Sequence, residues 1–402
     1  MVSARRTAGR GRLLRPALAV CLVTAALGVG LAAPSGQAAT GCTMSVTSKL
    51  LSSRTYRTGV TWQSYRVTAR RGSQTQTADV QLTTMPSGVR PQLISTRIGG
   101  VDEIRDQVRG QQPKALAAIN GGFFYEYRLS GGGHAVLPRD GEVHRGVVKS
   151  AGASPSTVVG LSTTGRPFVG TLGVGGSVTS RVGTFALTGV NWRQLDSRDV
   201  GLYTSVWSDH DAARPAGAVE WVLSKDGTIT SVRDGRGTGA PVAPHTRVVA
   251  FGSSSAGAAA QAHVGDHVNV TVKQVTSTGA VLGEAVGRGR LLVSGSVVTI
   301  GCRVPSNGPR PRTTVGWNRQ GRWMTLIVPG TGYDRSGYRI GGLGPPADGA
   351  VAQALGFATA VELDGGGSVT SYVRAGTRWN RLDDSPQQWQ RPVPNGLAFV
   401  RS

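Results

Sequence analysis

Apolar and polar residues alternate in short runs along most of the chain. A period of two puts successive side chains on opposite faces of an extended backbone, so these runs predict β-strands. The predicted strands lie at 79–84, 114–119, 219–223, 247–251, 267–272, 290–293, 323–328 and 359–363. Helical spacing occurs only at 101–108, where acidic residues open the first turn, and at 348–355, which follows two prolines. The pattern therefore predicts a β-rich chain with few helices.

Three other stretches bear on domain organisation. The Gly/Ser-rich segments 150–156 and 252–260 are typical either of domain linkers or of turns between strands, and the sequence leaves both interpretations open. Residues 40–75 are polar and short, and we expect them to form an N-terminal extension that packs onto the main body at 76–402.

The N-terminus has the pattern of an export signal. Five arginines precede an apolar stretch at 17–33, which is followed by small residues at 36–40. We therefore expect residues 1–39 to be a signal peptide and the protein to be secreted or extracellular. No later stretch reaches 18 apolar residues, so no transmembrane anchor is expected after the signal is removed.

Cys42 and Cys302 are the two cysteines outside the predicted signal. Two thiols in an exported protein most often pair, so the sequence predicts a Cys42–Cys302 disulfide. Closing a loop of this length stabilises a folded chain by about 4–5 kcal/mol in the chain-entropy model.

The chain is strongly basic, with 44 Lys and Arg against 22 Asp and Glu and a net charge of +22. Residues 1–39 contain five Arg and no acidic residue, so +17 remains without them. This excess favours an anionic partner such as a phosphodiester polymer or acidic glycan. It is equally typical of coding sequences with high GC content. No dense basic run follows residue 16, and we expect no nucleic-acid partner.

Signatures of several enzyme classes are missing from the sequence. It contains no Gly-Lys pair for a phosphate-binding loop, no G-x-S-x-G elbow, no HExxH and no CxxC. Two G-x-G-x-x-A matches, at 235–240 and 342–347, are expected by chance among 59 glycines.

The first segment with candidate chemistry is 117–124, where an apolar strand runs into Asn120, Gly121 and Gly122, followed by Phe123 and Phe124. Glycines permit close approach of the backbone to a ligand, and the asparagine amide both donates and accepts hydrogen bonds. A tight turn is the alternative interpretation.

The second segment, 311–316, leads Arg312 and Thr313 into a predicted strand. The planar fork of an arginine matches phosphate or carboxylate oxygens, and Thr313 adds a hydroxyl group. A plain surface arginine is the alternative.

The third segment, 361–368, is the most specific. A strand delivers Asp364 onto three glycines and a hydroxyl group, in the order Gly365, Gly366, Gly367 and Ser368. Successive glycine amides can form an anion-binding nest. Glu362 lies two residues earlier and is expected on the same face of the strand. It is equally interpreted as a structural partner of an arginine.

Together the three segments resemble the phosphodiester glycosidase family. NGGFF at 120–124, PRTTVG at 311–316 and LDGGGS at 363–368 are similar to the motifs of that family and occur in the same order. The resemblance covers most of residues 75–402, with departures at Glu362, Val369 and the loop after Phe124. It implies an α+β fold of mixed β-sheets with few helices, in a single large β-rich catalytic domain.

The resemblance also implies a function, the hydrolysis of a sugar-1-phosphodiester at the anomeric C–O bond. We expect Asp364 to be the base or nucleophile, Arg312 and the amides of Gly365–Gly367 to hold the phosphate, and Asn120 to orient the sugar. Glu362 or His134 would supply a second proton-transfer group. Further residues are expected to line the substrate site: Gly121, Gly122, Phe123, Thr313 and Ser368.

The implied scheme requires no cofactor. Asp364, Glu362 and nearby carbonyl groups offer the oxygen ligands of a hard divalent cation, and the sequence leaves metal dependence open. The expected partner is the sugar-phosphodiester substrate, which the positive charge allows to be part of a cell-wall or capsular polymer. The competing hypothesis is a non-catalytic module that binds such polymers.

Overall fold

Antiparallel strands make up most of the regular structure of the chain. The computed structural model describes residues 41–128, 134–207, 216–234, 242–303, 308–333, 339–383 and 390–402. The predicted signal peptide at 1–39 lies outside the described residues.

The strands vary from two to fourteen residues in length. They are β1 (Ser45–Thr55), β2 (Thr61–Arg71), β3 (Gln74–Thr84), β4 (Val89–Ser95), β5 (Ala117–Asn120), β6 (Phe124–Arg128), β7 (His134–Pro138), β8 (Glu142–His144), β9 (Val147–Gly152), β10 (Ser156–Ser162), β11 (Pro167–Ser180), β12 (Gly183–Ala186), β13 (Gly189–Val190), β14 (Val200–Thr204), β15 (Val219–Leu223), β16 (Ile229–Asp234), β17 (Arg247–Phe251), β18 (Asn269–Thr276), β19 (Leu282–Gly287), β20 (Leu291–Ser294), β21 (Val297–Val298), β22 (Arg312–Asn318), β23 (Trp323–Val328), β24 (Gly332–Tyr333), β25 (Arg339–Ile340), β26 (Phe357–Glu362), β27 (Ser371–Ala375), β28 (Arg378–Arg381) and β29 (Asn395–Arg401). The helices of the described residues are α1 (Ile104–Gln111), α2 (Ser253–Ala259) and α3 (Pro345–Ala354).

Three sheets matter for the site. An eight-stranded sheet has the order β1-β2-β3-β23-β22-β26-β20-β21, and a five-stranded sheet has the order β28-β27-β5-β29-β4. A sheet of twelve strands includes β8 to β19 and contains one parallel pair, β13 and β14, among antiparallel neighbours. The prediction of mixed sheets with few helices is therefore confirmed.

All eight predicted strands coincide with observed strands, with ends shifted by at most five residues, and both predicted helices are present as α1 and α3. The linker or turn predicted at 252–260 is wrong, since that segment forms α2. Serine, glycine and alanine give no apolar stripe there. The helix instead packs its small residues against Trp221, whose indole N–H donates to the carbonyl of Ala259 at 2.9 Å. The segment 150–156 contains the end of β9, a turn at 153–155 and the first residue of β10.

The eight-stranded sheet has a different partner on each face. On one face Leu326 and Ala360 pack against Val351 of α3. On the other, Val315 and Val361 pack with core residues of the five-stranded sheet. Because side chains alternate along a strand, this division decides which way each residue of β22 and β26 points.

Cys42 and Cys302 form the predicted disulfide, with their Cα atoms 4.6 Å apart. The backbone N–H of Cys42 also donates to the carbonyl of Ile300 at 2.8 Å. Strands β1 and β2 continue the eight-stranded sheet beyond β3. In the part of the chain that the structure describes, no helix has both the length and the apolar character needed to cross a membrane.

Candidate active site

The three motif segments meet at one edge of the sheets, where β5 ends at Asn120, β22 begins at Arg312 and β26 ends at Glu362. Backbone hydrogen bonds join them. The N–H of Asp364 donates to the carbonyl of Gly121 at 3.0 Å, and the N–H of Leu363 donates to that of Thr313 at 2.8 Å. Residues far apart in sequence are thereby held in one small region, the junction of the three motif segments.

Asn120 lies at the centre of this junction and is 1% exposed. Its Oδ1 accepts from the Thr313 hydroxyl at 2.7 Å and from the Thr370 amide at 3.1 Å. Its Nδ2 donates to the backbone carbonyl of Asp364 at 2.8 Å. The expectation that Asn120 faces a sugar therefore does not hold, because its amide is buried and already satisfied by protein groups.

Gly121 and Gly122 are likewise buried, and the close approach that they permit is to the protein itself. A Cβ on Gly121 would collide with the side-chain oxygen of Asn395, and one on Gly122 would lie 2.6 Å from the carbonyl oxygen of Gly287. The Gly122 N–H donates to Asn395 Oδ1 at 2.8 Å. Their predicted role in binding substrate is corrected to one in packing.

The glycine run after Asp364 is not an open nest. The Gly365 N–H donates to Asp364 Oδ1 at 2.9 Å, and the Gly366 N–H donates to the Pro311 carbonyl at 3.0 Å. Gly366 has a φ of +59°, a backbone conformation that favours glycine. Two of the three amides expected to hold phosphate thus have acceptors within the protein. The run shapes a turn that presents Asp364, while Gly367 packs against the side chain of Arg391.

Asp364 is partly buried at the mouth of the junction. Desolvation by burial raises the pKa of its carboxyl to about 6, although the Ser368 hydroxyl, the Gly365 amide, Arg391 and Arg139 all act to lower it. A carboxyl with this pKa is largely ionised at neutral pH and can still exchange a proton close to it.

Two arginines that the sequence analysis did not single out flank this carboxylate. The Cζ of Arg139 lies 4.4 Å from the centre of the Phe123 ring, and that of Arg391 lies 5.0 Å from the centre of the Phe124 ring. Contact with an aromatic face holds a guanidinium group while its N–H groups stay available for other acceptors. The adjacent phenylalanines of the NGGFF motif therefore hold two arginine side chains near Asp364.

Both arginines are also held by neighbouring polar groups. Arg139 Nε lies 3.0 Å from Asp140 Oδ2, and Arg391 Nη1 donates to the Ser368 hydroxyl at 3.3 Å. Arg391 pairs in addition with Glu126. The only sequence signal for these cations is the Phe-Phe pair, because the arginines themselves stand in segments without a regular pattern.

Arg312 and Glu362, predicted to act on substrate, form a buried ion pair and are 4% and 3% exposed. Arg312 Nε donates to the carbonyl of Leu343 at 2.5 Å, and Glu362 Oε2 lies 2.8 Å from Arg290 Nη1. Because side chains alternate along β22, Thr313 points toward Asn120, whereas Arg312 and Thr314 point toward α3. The structural interpretation of Glu362 is therefore the one that fits, and the predicted phosphate contact of Arg312 is corrected.

A further buried acid, Asp348 of α3, contacts the same face of β22. Thr314 donates through its hydroxyl to Asp348 Oδ2 at 2.7 Å. Desolvation raises the pKa of Asp348 to about 6, opposed mainly by the charge of Arg312. This network lies on the α3 side of the sheet, away from the side chain of Asn120.

The remaining predicted residues fall into two groups. Phe123, Thr313 and Ser368 lie in the junction, with Phe123 half-buried under Arg139 and Ser368 buried next to Arg391. His134 begins β7, and its side chain lies outside the described residues. Across the described ranges, no three His, Cys, Asp or Glu side chains come together in a way that could hold a metal ion.

Comparison with known proteins agrees with the motif pattern. Residues 218–400 match the model of the phosphodiester glycosidase family, which confirms the predicted resemblance. Two of the motifs, 311–316 and 363–368, lie inside the matched segment, and 120–124 precedes it. No curated protein matches the chain in sequence.

Solved structures to which this chain is similar come from several organisms, and two of them have TM-scores above 0.5. A hypothetical protein from Synechocystis has 18% identity and a TM-score of 0.64, over 89% of this chain and 68% of that one. A protein described as exported, from Burkholderia pseudomallei, has 17% identity and a TM-score of 0.65, over 91% and 99%. The catalytic domain of zebrafish N-acetylglucosamine-1-phosphodiester alpha-N-acetylglucosaminidase, auto-inhibited by its pro-peptide, has 11% identity and a TM-score of 0.39, over 91% and 87%.

Proposed function

We propose that this protein is an exported hydrolase that cleaves the anomeric C–O bond of a sugar-1-phosphodiester. The observation that carries the proposal is the carboxylate of Asp364 flanked by Arg139 and Arg391, each stacked on one phenylalanine of the NGGFF motif. The match of residues 218–400 to the phosphodiester glycosidase family supports the same reaction class.

The leaving group explains why one carboxylate suffices. Ordinary glycosidases pair a base or nucleophile with a protonated acid, because an alkoxide leaves poorly. A phosphomonoester departs as a stabilised anion and needs no such proton. The pairing of Glu362 with two guanidinium groups is consistent with a site that lacks a second catalytic carboxyl.

In this scheme the two half-buried arginines, Arg139 and Arg391, hold the phosphate. Their N–H groups bind its non-bridging oxygens and stabilise the charge that grows on the bridging oxygen as the C–O bond lengthens. Asp364 acts at the anomeric carbon, either by attacking it directly or by taking a proton from an attacking water. In both cases the oxygen of water ends on the sugar, the bonding electron pair leaves with the phosphate, and one proton passes to solvent.

The charge of the whole chain suits the same substrate class. The net charge of +22, or +17 without residues 1–39, attracts anionic polymers. We therefore propose a phosphodiester-linked polymer outside the cell, such as a cell-wall or capsular polymer, as the source of the substrate. The predicted signal peptide and the Cys42–Cys302 disulfide support export.

Hydrolysis in ¹⁸O-labelled water tests the reaction. The substrates are methyl diesters of glucose-1-phosphate, galactose-1-phosphate and N-acetylglucosamine-1-phosphate, with products analysed by mass spectrometry. Label in the sugar is the result expected for C–O cleavage. Label in the phosphate would instead indicate a phosphodiesterase that cleaves the P–O bond. If the diesters bind in a salt-sensitive way but no product forms, the protein is a non-catalytic binding module.

A further inference from the structure

A cavity of about 520 Å³ opens beside Arg139, the arginine that also lies near Asp364. Tyr125, Trp192 and Arg193 form one part of its lining, and Asp140 lies next to Arg139. Pockets of about 300–1,000 Å³ are typical of small-ligand sites, so the volume suits one or two sugar rings. Because Arg139 borders both the cavity and the Asp364 site, a ligand in the cavity would reach the proposed phosphate position.

The aromatic part of the lining is held in place by its surroundings. The Cζ of Arg193 lies 4.4 Å from the centre of the Trp192 ring and 4.8 Å from that of Tyr125. Arg193 Nη1 donates to the carbonyl of Arg139 at 2.6 Å. Trp192 packs so closely on Gly152 that a Cβ there would lie 2.7 Å from its Nε1. The result is a rigid cluster in which the Arg193 guanidinium lies over both rings and lines the cavity together with them.

The charges of the cavity favour hydroxyl groups over a second anion. The carboxylates that line the cavity, those of Asp140, Asp196 and Asp199, outnumber its two guanidinium groups, those of Arg139 and Arg193. Carboxylates accept hydrogen bonds from hydroxyl groups and repel phosphate or uronate. The cavity therefore combines an aromatic surface, acceptor oxygens and a slight excess of negative charge, in contrast to the positive charge of the whole chain.

We propose that this cavity binds the neutral sugar ring of the substrate, with its phosphate directed toward Arg139 and Arg391. The inference rests on the proposed function and narrows it, because it selects uncharged, hydroxyl-rich sugars and excludes uronic acids and sugars carrying a further phosphate. It assigns Trp192 and Tyr125 to sugar recognition, a role that the three sequence motifs do not include.

Direct binding of glycosides without phosphate tests the inference independently of hydrolysis. The probes are methyl α-D-glucopyranoside, methyl N-acetyl-α-D-glucosaminide and methyl α-D-glucuronide, measured by saturation-transfer NMR at pH 7. At least one neutral glycoside is expected to bind at least tenfold more tightly than the glucuronide. Trp192→Ala is expected to weaken that binding at least tenfold.

A second test variant and a control variant keep the test decisive if Trp192→Ala fails to fold. Tyr125 is 40% exposed, so Tyr125→Ala removes part of the same surface at little risk to folding and is expected to weaken binding at least fivefold. Trp379→Ala alters a tryptophan of β28 outside the cavity and is expected to leave binding unchanged.

The outcomes separate this inference from the proposed function. If the phosphodiesters are hydrolysed but the glucuronide binds as well as the neutral glycosides, or Tyr125→Ala changes nothing, the cavity assignment is overturned and the reaction stands. If no phosphodiester is hydrolysed, but the neutral glycosides bind and Trp192→Ala and Tyr125→Ala weaken that binding, the cavity assignment stands and the proposed reaction does not.

Discussion

The side-chain amide of Asn120 donates a hydrogen bond to the main-chain carbonyl of Asp364, with Nδ2 and the carbonyl oxygen 2.8 Å apart. The same side chain accepts from Thr313 and from the Thr370 amide, so one buried residue ties all three motif segments together. The bond engages the backbone of Asp364 and leaves its carboxylate available. Asn120 is therefore a positioning residue, which acts through the placement of Asp364.

Replacing Asn120 tests this positioning role. Asn120→Ala leaves the Asp364 carbonyl and the Thr313 hydroxyl without their buried partner, and we expect a loss of about 1–3 kcal/mol in the free energy of unfolding. In steady-state kinetics kcat should fall while KM changes little, because the carboxylate is displaced and no substrate contact is lost. A raised KM with unchanged kcat would point instead to direct contact between Asn120 and the sugar.

The pH dependence of kcat/KM should report the pKa of Asp364. If the ionised carboxylate is the base or nucleophile, activity rises with pH through an apparent pKa of about 6. Arg391 lowers the pKa of Asp364, so Arg391→Ala should move this rising limb to higher pH, whereas Arg391→Lys keeps the charge and should move it less. If the rising limb of the pH profile does not move in Arg391→Ala, the group that titrates there is not Asp364.

The arginines mounted on Phe123 and Phe124 should carry most of the phosphate binding. We expect Arg139→Ala and Arg391→Ala to raise KM for a sugar-1-phosphodiester about tenfold or more, because each removes charge-assisted hydrogen bonds. Lysine at either position should restore only part of the affinity, since it lacks the planar fork. Arg105→Ala, on the surface of α1, is the matched control, and an equal effect of that variant would indicate only a general loss of positive charge.

The Arg312–Glu362 pair should matter for stability. Arg312→Ala leaves a buried carboxylate with only Arg290 as its charged partner, and we expect a loss of about 3–5 kcal/mol in the free energy of unfolding, measured by urea denaturation. Glu362→Gln keeps the shape of the side chain and should cost less. An Arg312→Ala variant with wild-type stability but no measurable kcat would contradict this structural role and indicate that Arg312 takes part in the reaction directly.

The sequence was sufficient to predict which segments meet, because each motif follows or opens a strand and the motifs resemble one family. It did not predict which way Arg312 and Glu362 face, since that depends on the register in which Thr314 of β22 lies opposite Glu362 of β26. Nor does composition tell whether a glycine makes room for a ligand or for the protein. Gly121 and Gly122 make room for Asn395 and Gly287.

The two arginines beside Asp364 were beyond prediction for a similar reason. Arg139 follows β7 and Arg391 precedes β29, in segments without periodicity. Only the tertiary fold brings them to the adjacent phenylalanines. The helix α2 was missed because its Ser-Ala-Gly composition lacks an apolar stripe, and its helical form depends on packing against Trp221.

The most direct test of the account is the value of kcat/KM for Asp364→Asn on a sugar-1-phosphodiester, compared with wild type and with Asp348→Asn. Asp348 is the matched control, because it is an aspartate whose pKa is likewise raised to about 6, on the α3 side of the sheet. The account predicts a loss of at least about 10²-fold for Asp364→Asn and a change of only a few-fold for Asp348→Asn. Near wild-type activity in Asp364→Asn would contradict it.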